Sequence, residues 1–347
     1  MIKLARIQKL QKKIQQENLD AFLVTFIPDL VYLTELSMEG YWIVVSKDNW
    51  WILTNRLLDG AFRDMGAGDA NLKIKMNFKG ELEALISQNR WSALAFDGEV
   101  ATYGLGKYLE EKGFKDYPKF MASLRIYKDK EEIQKLRKSC QITAQSLAFV
   151  ARKLKPGVPE TTIAYMIENF MRLKGAEKTS FDLIVGSGPN SAVPHHRTGS
   201  RKLKEGDAVV IDIGCIYENY CSDMTRTLYV GKKKSELFKK IHGIVQESQH
   251  KGIKKLRAGL RGGDIDGACR EVIEKAGFAD AFTHGTGHGV GIEIHEPPWV
   301  RAKSDNPLEA GMIVTVEPGI YLDGKLGVRI EDTLLVTKNG SEILTRV

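Results

Sequence analysis

Lys153-Leu154-Lys155-Pro156-Gly157 returns 102 residues later as Lys255-Leu256-Arg257-Ala258-Gly259. At the same offset Ile163 meets Ile265 and Gly175 meets Gly277, so the correspondence stays in register over about 25 residues. Each copy reads as a long helix, a glycine turn, a second helix closed by glycine, and then strands. A unit that repeats at such a length buries its apolar face against its own copy. The reading is a duplicated α-α-β unit whose halves are related by a pseudo-twofold, with a cleft between them.

Upstream of the repeat the pattern changes. A helix to about Glu17 leads into a strand over 20–25. Apolar runs over 41–45 and 50–54 flank the turn Ser46-Lys47-Asp48-Asn49, and a strand over 94–96 precedes a helix over 103–112. This is a small α/β domain. The charged segment Tyr127-Lys128-Asp129-Lys130-Glu131-Glu132 then opens a long helix to about Leu154. The expected domains are therefore residues 1–124 and 125–347. The fold class is α+β, a small α/β domain followed by the duplicated one.

Four acidic residues stand in strand-like apolar surroundings, where an unpaired carboxylate is costly. They are Asp212 in Val209-Val210-Ile211-Asp212-Ile213-Gly214, Asp223 in Cys221-Ser222-Asp223-Met224-Thr225, Glu317 in Val314-Thr315-Val316-Glu317-Pro318-Gly319, and Glu331 in Val328-Arg329-Ile330-Glu331-Asp332. Asp212 and Asp223 are symmetric about Tyr217-Glu218, a hairpin turn in this reading, and Glu317 and Glu331 about Gly324. Residues equidistant from a hairpin turn face one another at about 5 Å between Cβ atoms. Two hairpins thus each present a carboxylate pair, and two divalent cations would neutralise the four charges.

Only seven histidines occur, and three fall in His284-Gly285-Thr286-Gly287-His288-Gly289-Val290-Gly291-Ile292-Glu293-Ile294-His295. Glycines at this density let backbone approach a ligand closely. One imidazole could complete a metal site, and the other two could donate to a carbonyl or oxyanion. No Gly-Xaa-Ser-Xaa-Gly nucleophile turn is present, and Gly186-Ser187-Gly188-Pro189 lacks the Gly-Lys-Ser/Thr of a phosphate loop.

Composition bounds the rest. Lys and Arg number 51 against 44 Asp and Glu, a net charge of +7 with pI near 9.0, which raises a polyanion partner. The excess is about +1 over residues 1–125 and about +6 over 126–347. It lies in the runs Arg201-Lys202-Leu203-Lys204, Lys232-Lys233-Lys234 and 251–257, the last two on one amphipathic helix expected over 232–257. No aromatics are interleaved to stack on bases, so these read as solvated faces and no nucleic-acid partner is expected. No stretch has the length of a membrane span or the apolar run of a signal peptide. Cys140, Cys215, Cys221 and Cys269 have no Cys-Xaa-Xaa-Cys spacing and read as reduced thiols of a cytoplasmic protein.

Asp212, Asp223, His288, Glu317 and Glu331 stand in the order and contexts of the five metal ligands of the pita-bread metallopeptidases, and the chain resembles that family over nearly its whole length. The motifs are Asp223-Met224-Thr225-Arg226-Thr227, His284 to His295-Glu296, Glu317-Pro318-Gly319-Ile320-Tyr321 and Gly327-Val328-Arg329-Ile330-Glu331. Residues 1–124 resemble the creatinase-type N-terminal domain, which points to the Xaa-Pro branch. The resemblance implies two divalent ions, manganese first, with cobalt, zinc and iron also compatible. It implies that Asp212 holds one ion and His288 the other, with Asp223 and Glu331 bridging. Glu317 binds metal and takes a proton from water as general base. His295 and His284 stabilise the carbonyl oxygen and the tetrahedral intermediate, and His195 lines the substrate pocket with Tyr321 and Trp299. Arg329 and Thr225 orient ligand carboxylates, Thr225 that of Asp223. A cytoplasmic homodimer acting on proline-containing peptides is implied.

Two departures from the family pattern stand out. Tyr32-Leu33-Thr34-Glu35-Leu36 replaces the frequent Tyr-Leu-Thr-Gly-Phe. Trp299 occupies the position four residues after His295 where many dipeptidases carry an arginine for the substrate carboxylate, and Arg301 is out of register. The expectation is thus an aminopeptidase that removes the residue before proline. The alternative is an Xaa-Pro dipeptidase. A non-catalytic binding module and metal-free creatinase-like hydrolysis are disfavoured because all five ligands are present.

Overall fold

The structure, a computed structural model, describes residues 2–68 and 70–346, and the chain divides into two compact units, Met1–Arg125 and Ile126–Val347. The first unit is built on a six-stranded sheet ordered Leu72–Ile74, Trp50–Thr54, Tyr41–Ser46, Ala21–Val24, Leu94–Phe96, Phe114–Asp116. Ala21–Val24 is apolar at every position and wholly buried, as a central strand covered on both faces requires. The outer strands Leu72–Ile74 and Phe114–Asp116 carry too few apolar residues to stand out in the sequence. Pro28 lies in the first turn of the helix Ile27–Thr34, where its missing N–H costs nothing.

The second unit opens with the helix Lys130–Ala151. Its N-terminus is closed by a reciprocal pair: Glu132 N–H donates to Asp129 Oδ1 at 2.9 Å, and Asp129 N–H to Glu132 Oε2 at 2.9 Å. Asp129→Ala should cost about 1 kcal/mol and lower the thermal midpoint by roughly 2–4 °C. Asp129→Asn should cost less. An unchanged midpoint for the alanine variant would remove the cap from this account.

The repeat is explicit in the structure. The helices Glu160–Leu173 and Gly262–Lys275 are displaced by 102 residues, and each follows a glycine, Gly157 or Gly259, at φ +89°. Gly175 and Gly277 close them at φ +98° and +82°. These left-handed positions are ones that glycine adopts without Cβ strain. Matching bridges Pro159↔Lys202 and Arg261↔Pro307 tie each helix start to its own half. In the first half, Ala208–Ile213 lies between Ile184–Ser187 and Met224–Tyr229. In the second, a five-stranded sheet runs Glu296–Val300, Gly287–Gly289, Ile313–Val316, Asp332–Val336, Ser341–Ile343.

The helix expected over 232–257 is shorter, Glu236–Lys255, because Ser235 caps it by accepting from Phe238 N–H at 3.2 Å. Lys232, Lys233 and Lys234 precede it. No helix among the described residues is long and apolar enough to cross a membrane. The four cysteines are buried free thiols.

Candidate active site

Asp212 lies on Ala208–Ile213 and pairs directly with Thr225, not with Asp223. The turn is Glu218-Asn219, at φ +46° and +69°, one position later than the sequence symmetry suggests, with Tyr217 opposite Tyr220. Two consecutive left-handed residues match the twist of the strands they join. The slip amounts to two residues in the pairing, so it leaves Asp223 on the side of Asp212. The second hairpin keeps the expected register. Gly319↔Arg329 and Ile313↔Leu335 belong to one pairing centred on Gly324, which places Glu317 opposite Glu331 between the two ladders. Glu331 N–H donates to Thr225 O at 3.0 Å, so the hairpins are joined at the acids themselves.

His288 sits on Gly287–Gly289, a strand so close to its neighbour that a Cβ on Gly287 would lie 2.1 Å from Thr315 O. Its Nδ1 donates to Gly289 O at 3.0 Å, which leaves Nε2 bare. Nε2 points at Glu317 Oε1, 3.4 Å away, and Asp223 Oδ2, 3.6 Å away. Atoms of Asp223, His288 and Glu331 lie within 4.8 Å of one another. Burial holds the His288 imidazole neutral, with its pKa lowered to about 4.

The acids behave in the opposite sense. Burial, then the charges of Asp212 and Glu317, pushes Asp223 well above the carboxylate range. Burial, then Asp223, does the same to Glu331, and burial raises Glu317 to about 8. Asp212 Oδ1 and Glu331 Oε1 are buried without a hydrogen-bond partner. Crowded carboxylates with orphaned oxygens and one bare imidazole nitrogen form an oxygen-rich donor set that fits divalent cations.

Arg329 is 3% exposed and organises the rim of the cluster. It donates from Nη2 to Asp212 Oδ2 at 2.5 Å, from Nη1 to Tyr321 Oη at 2.7 Å and to Pro194 O at 3.1 Å, and from Nε to Thr225 Oγ1 at 3.2 Å. Thr225 in turn donates to Glu331 Oε2 at 2.7 Å, so the carboxylate it orients is Glu331 and not Asp223. Its partner is set by the contact between hairpins, which sequence spacing does not encode.

A cavity of about 730 Å³ opens onto these groups, and His195, His284, His295, Trp299 and Arg301 line it. His295 stacks edge-on against His288, with ring centroids 4.4 Å apart. His284 Nδ1 donates to Gly285 O at 2.7 Å, and Nε2 accepts from Tyr321 Oη at 2.9 Å. In this arrangement neither nitrogen of His284 is left to donate to a substrate. Tyr321 is 8% exposed and stands behind the cavity wall rather than lining it, because its hydroxyl is spent between Arg329 and His284.

Sequence reasoning passed over Asp182, Arg197 and Arg301, which also line the cavity. Arg197 follows directly on His195-His196, a signal that the sequence does offer. Arg301 was set aside for its register, yet its guanidinium lies 4.9 Å from the Trp299 ring centroid. Arg301 follows Trp299 by two residues, and both line the cavity.

The model of metallopeptidase family M24 matches residues 134–338, and that of the creatinase/prolidase N-terminal domain matches residues 6–127. An Xaa-Pro dipeptidase of Pyrococcus furiosus is 33% identical over 98% of this chain and 97% of its own. A putative Xaa-Pro aminopeptidase of Mycoplasma pneumoniae is 34% identical over 97% and 95%. The solved Xaa-Pro dipeptidase from Bacillus anthracis superposes with a TM-score of 0.95 at 33% identity, over 99% of this chain and 98% of that one.

Proposed function

The chain belongs to metallopeptidase family M24 and is a metal-dependent Xaa-Pro peptidase, and from that premise we propose that it is an Xaa-Pro dipeptidase. Two observations support this over the aminopeptidase expectation. Full-length relatives include Xaa-Pro dipeptidases, and the cavity wall carries Arg301, a cation suited to a substrate's free carboxylate. The aminopeptidase reading rested on Trp299 in the clamp position, and Arg301 beside it supplies the missing charge. A second reading, cleavage of longer Xaa-Pro peptides, is favoured by the roomy 730 Å³ cavity.

Asp212, Asp223, His288, Glu317 and Glu331 would hold two divalent ions, manganese first and cobalt, zinc or iron as alternatives. When bound, such ions acidify water towards neutrality and polarise the scissile carbonyl. Glu317, whose Oε1 lies 3.4 Å from His288 Nε2 at the cavity wall, accepts the water's proton in this reading. Arg329 fixes Asp212, Thr225 fixes Glu331, and Tyr321 fixes the ring of His284. His295 and His195 present imidazoles to the reacting carbonyl from the cavity wall. A cytoplasmic homodimer completes the reading.

Purified protein with added manganese is assayed on Xaa-Pro and Xaa-Pro-Xaa. The expected result is preference for Xaa-Pro. Arg301→Ala should raise KM for Xaa-Pro about 10- to 100-fold, the scale of one charge-assisted hydrogen bond, with a smaller change on Xaa-Pro-Xaa. Preference for the tripeptide, or equal losses on both, would return the reading to an aminopeptidase.

A further inference from the structure

We infer that Glu160 is a positioning residue for the reaction, acting through the loop that carries His195. Glu160 opens the helix Glu160–Leu173 and is completely buried. Its Oε1 accepts from Ser187 N–H at 2.7 Å, Ser187 Oγ at 2.6 Å and Asn190 Nδ2 at 3.0 Å. Its Oε2 accepts from His196 Nε2 at 3.0 Å and Gly199 N–H at 3.4 Å. One carboxylate thus ties both ends of the segment 187–199 to the helix.

The middle of that segment faces the cavity. Pro194, His195, His196 and Arg197 all line it. His195 is held on both flanks. Pro194 O accepts from Arg329 Nη1 at 3.1 Å on one side, and His196 is held by Glu160 on the other. The carboxylate therefore does for the backbone of His195 what Arg329 does from the metal-site side. The repeat supports a local role: the equivalent residue, 102 positions on, is Gly262, so the matching helix Gly262–Lys275 has no carboxylate at this position and is capped instead by Asp264, which accepts from Arg261 N–H at 2.9 Å.

Glu160→Gln separates the two halves of the clamp. The amide keeps an acceptor for Ser187, but its NH₂ faces the Gly199 N–H donor and can bond His196 Nε2 only after that ring changes tautomer. The segment 193–199 is freed selectively while the Ser187 anchor stays. An imidazole held in place is a preorganised partner for charge that develops in the transition state, so its loss falls on kcat more than on KM.

The inference rests on the peptidase reading for its kinetic arm only. In metal-free protein without substrate, Glu160→Gln should speed amide exchange over 193–199 at least tenfold and leave the helix Glu160–Leu173 unchanged. With manganese and Xaa-Pro, kcat should fall about tenfold, with KM within twofold and metal content as in the parent. His196→Ala should give a similar loss, and the double variant no more than either single one. Unchanged exchange over 193–199 overturns the clamp. Unchanged kcat, or fully additive losses, overturns its link to the reaction. Failure of the parent protein to cleave Xaa-Pro, with exchange as expected, would sink the peptidase reading and leave the clamp standing.

Discussion

Asp223→Asn should abolish turnover of Xaa-Pro peptides, with kcat lowered on the order of 10³-fold or more. Asp223 is 4% exposed and faces His288 Nε2 at 3.6 Å, within the group it forms with His288 and Glu331. Replacing one carboxylate oxygen by NH₂ keeps the shape but puts a donor where a cation must bind. Several kcal/mol of transition-state stabilisation is lost with the ion, and each 1.4 kcal/mol is about tenfold in rate. The variant should nonetheless fold. Asp223 is raised by burial and then by repulsion from Asp212 and Glu317, so removing its charge relieves strain in the cation-free protein. Its thermal midpoint without metal should match or exceed that of the parent, while the rise on adding manganese should vanish. Turnover within tenfold of the parent, at equal protein concentration and saturating manganese, would exclude Asp223 from the centre.

Arg329→Met should destabilise the protein by about 3–5 kcal/mol, a fall of roughly 10 °C in the thermal midpoint. The Arg329 side chain is 4% exposed and that of Asp212 is 13% exposed, and they meet at 2.5 Å. Deleting one partner leaves a carboxylate in low-dielectric surroundings with its other oxygen, Oδ1, already without a hydrogen bond. The same substitution strips donors from Pro194 O, Thr225 Oγ1 and the Tyr321 hydroxyl. Met fills most of the volume, so the loss reports charge and hydrogen bonding rather than a cavity. Arg329→Lys keeps the charge but not the planar fork, and should fall between the two. Denaturant unfolding of metal-free protein provides the measurement. A Met variant within 1 kcal/mol of the parent would show that Asp212 is held by something else.

These two residues mark different degrees of legibility. Asp223 was exposed by its sequence: an acid in an apolar strand context needs a reason to be there. Arg329, two residues before Glu331, reads as orienting a ligand carboxylate, but spacing does not say which one. Its partner Asp212 lies 117 residues away. Thr225 shows the same limit. The choice between Asp223, two positions off, and Glu331, 106 positions off, was made by the packing of one hairpin on another. Arg301 is out of register with the family's arginine, yet two residues beyond Trp299 it lines the cavity.

By itself the sequence determined the duplicated architecture, the Gly324 register and the chemical types of the donors. Helix periods, left-handed glycines and turn residues act over a few positions, and the energies they bring are local to the chain. Only the tertiary structure decided which carboxylate Thr225 holds, that Tyr321 stands behind the cavity, and that Glu160 anchors the loop of His195. Those outcomes depend on which atoms remain unsatisfied once distant segments are packed together. A buried polar atom takes the partner that geometry brings within about 3 Å, wherever that partner lies in the chain.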